Sequence, residues 1–535
     1  MKICALAQAT LLPVGVCLAL TGVPAHAQTP PAATDTTPAD QRFDIAEFRV
    51  LGNSLLPNRD IERAVYPFLG PNRDLEVVKK AAEALEKAYK DAGYGTIFVD
   101  IPEQSVDTGI VRLRVTEGKL DRVRVKSERY VSGRQIRAEL PALVPGETPH
   151  LPTFQQELTE FNSRSSDVTV TPVLKAGPEP GTVDLDLNVQ DKLPFHASVE
   201  VNNRYSPDTV HDRVALSASY DNLWQLNHSL SVQYQTAPAR TANAEIEAAS
   251  YLIRPQGSHS IWAFSWIHTN SNVDTIGTLG VLGKGSIYGI RWIDPLVNTD
   301  AASHSITLGV DYKDFLEDVS LSGSGIDTPI KYIHWSAQYS GAWRFSSTSI
   351  SFTGGPGFGI RNLVNNPQTF ADKRAFAPAN YFYLHSTGQV LQGLPDGFAI
   401  LVRYTGQWTP NPLIDNEQLS IGGLDTVRGY LESEVLGDYG LAGTLELHSP
   451  MLGDRWGAMF RPLYAFIFGD AGIVSLQQPL GGQDYRTHIG SAGLGFRLEA
   501  ATGLYGVLDC AVPLVDGPRT HRDRPRVDFS IHYGF

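Results

Sequence analysis

The sequence is short of what usually holds together or powers a large protein. It has 3 cysteines. Cys4 and Cys17 fall inside a stretch that reads as a removable leader, so Cys510 alone remains and the mature chain can form no internal disulfide. Charged residues make up 19% and hydrophobic residues 42%, a balance that suits neither disorder nor a bundle of membrane helices. Past the leader no run of about 18 apolar residues occurs, which excludes transmembrane helices on length. Catalytic motifs are missing too: there is no G-x-S-x-G elbow, no G-x-x-x-x-G-K phosphate loop and no H-E-x-x-H. The 14 histidines are scattered, with His196, His228, His334 and His532 where strands or turns would carry them. No catalytic residue, metal or cofactor is therefore expected. The net charge of -13 argues against a nucleic-acid partner.

What is present begins with an address. Met1 to Ala27 has a basic start at Lys2, a mostly apolar stretch from Ala5 to Leu20 and a small-x-small cleavage site at Ala25-His26-Ala27. Pro13 interrupts the apolar run and polar sequence follows it, which speaks against an anchor. Bulky Val16 before Cys17, with more apolar sequence after it, speaks against a lipoprotein. Residues 28–42, rich in Pro, Thr and Ala, read as a disordered lead-in.

Two similar segments follow. Phe43–Leu51 is expected to be a strand and Asp60–Tyr66 a short helix. Asp74–Ala92 is the clearest helix of the chain. Asp74 is placed to cap it, Leu75, Val78, Ala82, Leu85, Tyr89 and Ala92 recur at helical spacing, and Gly93 stands after the last turn. Thr96–Ile101 and Ile110–Val115 alternate as strands do. The second copy runs from strand Leu120–Val125 through helices Ser132–Leu140 and Thr153–Arg164, the latter capped by Thr153, to strands Val168–Leu174 and Thr182–Val189. Both copies read β-α-α-β-β, an internal repeat.

Gly93-Tyr94, Pro102-Glu103-Gln104, Gly109 and Val115-Thr116-Glu117-Gly118 resemble the signature of a POTRA domain of the two-partner secretion type. On this resemblance 43–117 is a first POTRA domain and 118–192 a second. A sheet edge in such a domain can take up an extended peptide through main-chain hydrogen bonds.

From Leu193 helical periodicity stops and short alternating segments recur to the end. Val214, Leu216, Ala218 and Tyr220 form one such set, Ile306, Leu308, Val310 and Tyr312 another, and Ile333, Trp335, Ala337 and Tyr339 a third. Aromatic residues gather at segment ends (Tyr220, Trp224, Trp292, Trp335, Trp408), and one face of nearly every segment is polar. These features predict an all-β transmembrane barrel over 193–535, which at ~21 residues per strand and connection holds about 16 antiparallel strands. The last segment, with Phe529, Ile531, Tyr533 and Phe535 on one face, resembles the assembly signal of bacterial outer-membrane barrels.

Gln418–Tyr430 breaks the alternation. Gly422, Gly423 and Gly429 mark it as a loop rather than a strand, and an arginine there needs an anionic partner or water. Alternation turns Leu463, Ala465 and Ile467 toward lipid and Tyr464, Phe466, Phe468 and Asp470 inward, which makes Asp470 the candidate partner of Arg428. Val427-Arg428-Gly429-Tyr430 resembles the loop motif of the Omp85 superfamily, and Phe468-Gly469-Asp470-Ala471-Gly472 its paired barrel-wall motif. The preceding Gln418–Gly423 is similar to the two-partner secretion branch (haemolysin and haemagglutinin exporters). The resemblance implies an outer-membrane translocator. Its POTRA domains capture an unfolded exoprotein bearing a two-partner secretion domain, and its sixth extracellular loop enters the barrel and gates it. It also implies outer-membrane lipid around the barrel and the barrel assembly machinery during biogenesis. With no nucleotide site, export is driven by the cargo. Family members often carry a plug helix before the first POTRA domain. Residues 28–41 show no amphipathic period and two adjacent prolines, so they carry no signal of such a helix. Two rivals remain: a barrel assembly factor, which should carry more POTRA repeats, and a diffusion porin, which needs neither POTRA domains nor the Arg428 motif.

Overall fold

The computed structural model describes residues 42–535 apart from 208, 242–243, 256, 271–272, 277–278, 283, 297–298, 300, 317, 322–323, 328, 454–461 and 501–502. The leader and residues 28–41 lie outside this range. The chain divides into two compact units, Met1–Lys192 and Leu193–Phe535.

The first unit opens with β1 (Phe43–Ile45), β2 (Glu47–Leu51), α1 (Asn58–Val65), β3 (Gly70–Arg73), α2 (Leu75–Asp91), β4 (Ile97–Asp100) and β5 (Ile110–Glu117). It continues with β6 (Lys119–Lys126), α3 (Gly133–Ala138), α4 (Leu151–Ser163), β7 (Val168–Ala176) and β8 (Thr182–Asp191). Two three-stranded sheets result, β2-β5-β4 and β6-β8-β7. In each, the first strand runs parallel to the last and the middle strand antiparallel on the far edge. The repeat in the sequence is thus a repeat in topology.

The apolar stripe of α2 explains the first sheet. Asp74 Oδ1 accepts a hydrogen bond from Val77 N at 3.0 Å and caps the helix, and Val78, Ala82, Leu85 and Tyr89 are buried against Val111, Leu113 and Val115. The first helical residue, Leu75, instead points to solvent. In the second repeat Phe154, Leu158 and Phe161 of α4 pack on Leu185, Leu187 and Val189.

Three local expectations need correction. Phe43–Leu51 is two strands, because Ala46 N and Glu47 N both donate to Gly109 O, at 2.8 and 3.2 Å, and turn the chain after Ile45. The freed β1 pairs with β3, whose Gly70-Pro71-Asn72-Arg73 carries no strand signal and is held by Asn72 N donating to Asp44 Oδ1 at 2.8 Å. The second long helix starts at Leu151, with His150 rather than Thr153 at its N-cap. Pro152 fits the first turn, where an N–H would have no helical partner.

The second unit is a closed barrel of sixteen strands, from Phe195–Asn202 to Arg526–Gly534, in which sequence neighbours pair antiparallel and the last strand pairs with the first. Its interior is polar: Asp311, His334, Thr444, Glu446, Asp470, Ser491 and Asp509 are buried, while Leu216, Leu308, Leu445, Ile467 and Ile531 are exposed on the outer face. This inversion of the usual pattern is what a lipid-facing wall around a wet lumen requires. Val527 and Tyr533 share the outward face of the last strand with Ile531, and Phe535, which follows it, is also exposed. Trp224 and Trp408 stand at strand ends, but Trp335 lies inside the strand Ile330–Arg344, which runs further than its alternating stretch shows. Because neighbouring strands run antiparallel, every second connection, beginning with 203–212, lies at the same end of the barrel. The sixth of these joins Ala399–Trp408 to Tyr439–His448.

Candidate functional site

That sixth connection folds inward. It is not all loop: Leu419–Ile421 pairs antiparallel with Val435–Gly437, and Leu419, Ile421, Val427, Tyr430 and Val435 form a buried apolar cluster with Ala442, Val474 and Ile489 of the wall. Period-two alternation is invisible in segments of three residues, which is why the sequence hides this hairpin.

At the tip, Arg428 is fully buried and Asp470 nearly so. Asp470 accepts three hydrogen bonds from this one residue: from its backbone N at 3.0 Å and Nε at 2.8 Å to Oδ2, and from Nη2 at 2.8 Å to Oδ1. The fork of the guanidinium matches the carboxylate. Arg428 Nη1 donates to Glu446 Oε1 at 2.7 Å and lies 3.6 Å from Asp509 Oδ2. Asp509 is held in turn by both Nη atoms of Arg497, at 2.5 and 3.1 Å. His448 Nε2 is 2.8 Å from Glu446 Oε2. The Phe468 ring lies under the Arg428 guanidinium, 3.4 Å from its centroid to Cζ, and Phe466 does the same for Arg497 at 4.4 Å. Two cations and three carboxylates are thus interlocked, and none is left alone. Removing one partner of such a buried set costs about 3–5 kcal/mol, because the remaining charge stays out of water.

The other motif residues make room for this contact. Gly429 has φ +86°, and a side chain there would press on Ala511 Cβ at 3.0 Å. Gly472 leaves the gap into which Ile421 and Val427 fit; a Cβ on it would lie 2.9 Å from Ile421 Cδ1 and 3.1 Å from Val427 Cγ2. The Tyr430 hydroxyl donates toward Gly490 O at 2.9 Å and Val515 O at 2.7 Å. The residues of the two motifs thus lie together between the loop tip and the wall: Arg428, Asp470 and Phe468 in the charge contact, and Val427, Gly429, Tyr430 and Gly472 in the packing beside it. The terminal-strand residues Phe529, Ile531, Tyr533 and Phe535 take no part in it.

Sequence reasoning missed Glu446, Arg497 and Asp509. Each is a charge between apolar neighbours, as in Leu445-Glu446-Leu447, Phe496-Arg497-Leu498 and Leu508-Asp509-Cys510, and this is the signal of a lumen-facing charge. Their convergence depends on strand register, which alternation does not carry. Sequence reasoning also missed further ties along the loop. Arg204, just past the first barrel strand, binds Glu432 Oε1 at 2.9 Å and Asp425 Oδ2 at 2.5 Å. Glu434 Oε1 accepts from the backbone N of Arg519 and of Thr520, at 2.7 and 2.8 Å. Asp438, wholly buried, binds Arg374 and accepts from Leu413 N at 2.9 Å and Gln477 N at 2.6 Å.

The chain matches the POTRA domain of ShlB type over residues 43–118. It is 22% identical over 432 residues to the outer membrane transporter CdiB of Dickeya dadantii, covering 76% of this chain and 72% of that protein. It is 20% identical over 414 residues to the heme/hemopexin transporter protein HuxB of Haemophilus influenzae, covering 73% and 69%. Among solved structures, CdiB from Escherichia coli superposes with a TM-score of 0.63 at 18% identity, over 95% of this chain and 93% of that one. BamA from Haemophilus ducreyi lacking POTRA domains 1–3 shares the fold with a TM-score of 0.57 at 13% identity, over 92% and 100%. Residues 181–498, more than half of the chain, match the family described as haemolysin secretion/activation protein ShlB/FhaC/HecB. With its POTRA domain and closed sixteen-stranded barrel, the chain belongs to this family of outer-membrane transporters of the two-partner secretion type, which are translocators rather than enzymes and keep their POTRA domains in the periplasm.

Proposed function

We propose that this transporter exports one secreted exoprotein carrying a two-partner secretion domain, and that the loop bearing Val427-Arg428-Gly429-Tyr430 gates the route. The segment 118–192 acts as a second POTRA domain beside 43–117, and the two capture the unfolded exoprotein after the leader 1–27 has been removed. The barrel from 193 to 535 sits in outer-membrane lipid, inserted by the barrel assembly machinery through its last strand. The observation that carries the gating reading is the Arg428–Asp470 contact: a fully buried guanidinium on a loop, bound to a carboxylate on the inner face of the wall. A loop so fixed keeps the lumen filled at rest, and export requires its displacement.

The test is secretion of the exoprotein by cells carrying Arg428→Ala or Asp470→Ala. Either change should lower secretion by about 10-fold or more, since it leaves a buried charge without its partner. The variants should remain folded in the outer membrane, shown by heat-modifiable electrophoretic mobility. Normal secretion by both would overturn the reading.

A further inference from the structure

The gating loop has a second buried charge cluster at its root, on a different arc of the wall from the tip. Glu417, just before the short strand Leu419–Ile421, is 4% exposed. Its Oε1 accepts from Lys313 Nζ and from the Tyr332 hydroxyl, both at 2.6 Å. Its Oε2 accepts from the Tyr383 hydroxyl at 3.1 Å and lies 3.5 Å from His334 Nδ1. Tyr381 in turn pairs with His334, hydroxyl to Nδ1, at 2.9 Å. The group is closed over by Phe315, Phe370, Leu413 and Ile414.

Lys313, Tyr332 and Tyr383 belong to the seventh, eighth and tenth strands of the barrel order, whereas Glu446, Asp470 and Asp509 belong to the twelfth, thirteenth and fifteenth. A loop bound to both arcs is held at two separate places on the wall, and Gln407 Nε2 of the eleventh strand, which donates to Glu417 O at 3.0 Å, stands between them. To the ties of Asp438 with Leu413 N and of Gln407 with Glu417 O, the Glu417 side chain adds a buried ion pair at the root. The root cluster fixes where the loop leaves the seventh to tenth strands, and a buried carboxylate is a costly way to pack a loop unless its position matters.

We infer that Glu417, through Lys313, Tyr332 and Tyr383, is a second latch that fixes the root of the gating loop to the wall and must be released, like Arg428, for the export route to open. This rests on the gating reading above.

The experiment is single-channel conductance of the purified full chain in planar bilayers, comparing wild type, Glu417→Gln, the exchange Glu417→Lys with Lys313→Glu, and Arg428→Ala. Glu417→Gln keeps the volume and one accepting oxygen but turns the other into an NH2 donor and removes the charge that pairs with Lys313. It should raise the fraction of time open by about 10-fold or more, with heat-modifiable mobility retained. The charge exchange should bring the open fraction back toward wild type, which loss of mere packing would not allow. Wild-type conductance in Glu417→Gln, with Arg428→Ala open, would overturn the second latch and spare the gating reading. Wild-type conductance in both would overturn the gating reading itself. Should Glu417→Gln fail to assemble, Tyr383→Phe, which removes one hydroxyl, decides: more frequent opening supports the latch, and unchanged conductance overturns it.

Discussion

The periplasmic unit and the barrel are built on opposite plans. In the first, helices lay apolar stripes on small sheets, so stability lies in side chains such as Leu85, Tyr89, Leu113 and Leu187, all fully buried. In the second, closure of the sheet satisfies the backbone, the outer face is apolar, and many buried side chains are charged or polar, with apolar clusters where the loops pack on the wall. Single changes should therefore register differently in the two units. In the periplasmic unit they should act on folding. In the barrel interior they should act on the position of a loop, while the wall itself survives.

The sharpest break of that comparison sets one leucine against another. Leu85→Ala opens a cavity in the first sheet-and-helix layer and should destabilise it by about 2–5 kcal/mol. Leu445→Ala, on the outward face beside Glu446, should leave barrel stability within about 1 kcal/mol, because the shortened side chain still meets an apolar environment. Denaturation of the purified chain, followed separately by hydrogen exchange in the two units, measures both. Equal losses would erase the distinction.

A smaller effect concerns Asp186 of β8, whose carboxyl is held at about 2 by hydrogen bonds from Lys126 and then Lys175. A carboxylate depressed in the folded state stabilises it fully above the unfolded value near 4, and that contribution fades as pH falls from about 4 toward about 2. The gap in unfolding midpoint between wild type and Asp186→Asn should therefore be flat from about pH 5 to 7 and close below about pH 4. A gap unchanged at about pH 2 would remove the ion pair as its cause.

The smallest effect is at a helix end. Asp74→Ala removes the cap of α2 and should cost about 1 kcal/mol, with Asp74→Asn recovering most of it. The same chemical denaturation reads it.

Much of this was legible beforehand. The repeat, the change of texture at Leu193, the number of strands and the candidate pair Arg428 and Asp470 follow from periodicity and local chemistry, whereas the other five motif residues rest on the family resemblance. The strand Gly70–Arg73 was not legible, because its residues are those of a turn and only its pairing with Phe43–Ile45 makes it a strand. Nor was the charge set of Glu446, Arg497 and Asp509, whose members lie on different strands and meet through register.

Features with a short period or a local stereochemical demand are written in the chain: helix stripes, alternating strands, and a glycine at φ +86° beside an arginine that needs a partner. Only the tertiary structure decided which charges meet. Closing sixteen strands brings Asp470, Glu446 and Asp509 around Arg428 at the tip of the loop, and Lys313, Tyr332 and Tyr383 around Glu417 at its root. The physical reason is that alternation says which face a side chain takes, whereas the register between strands says what it faces.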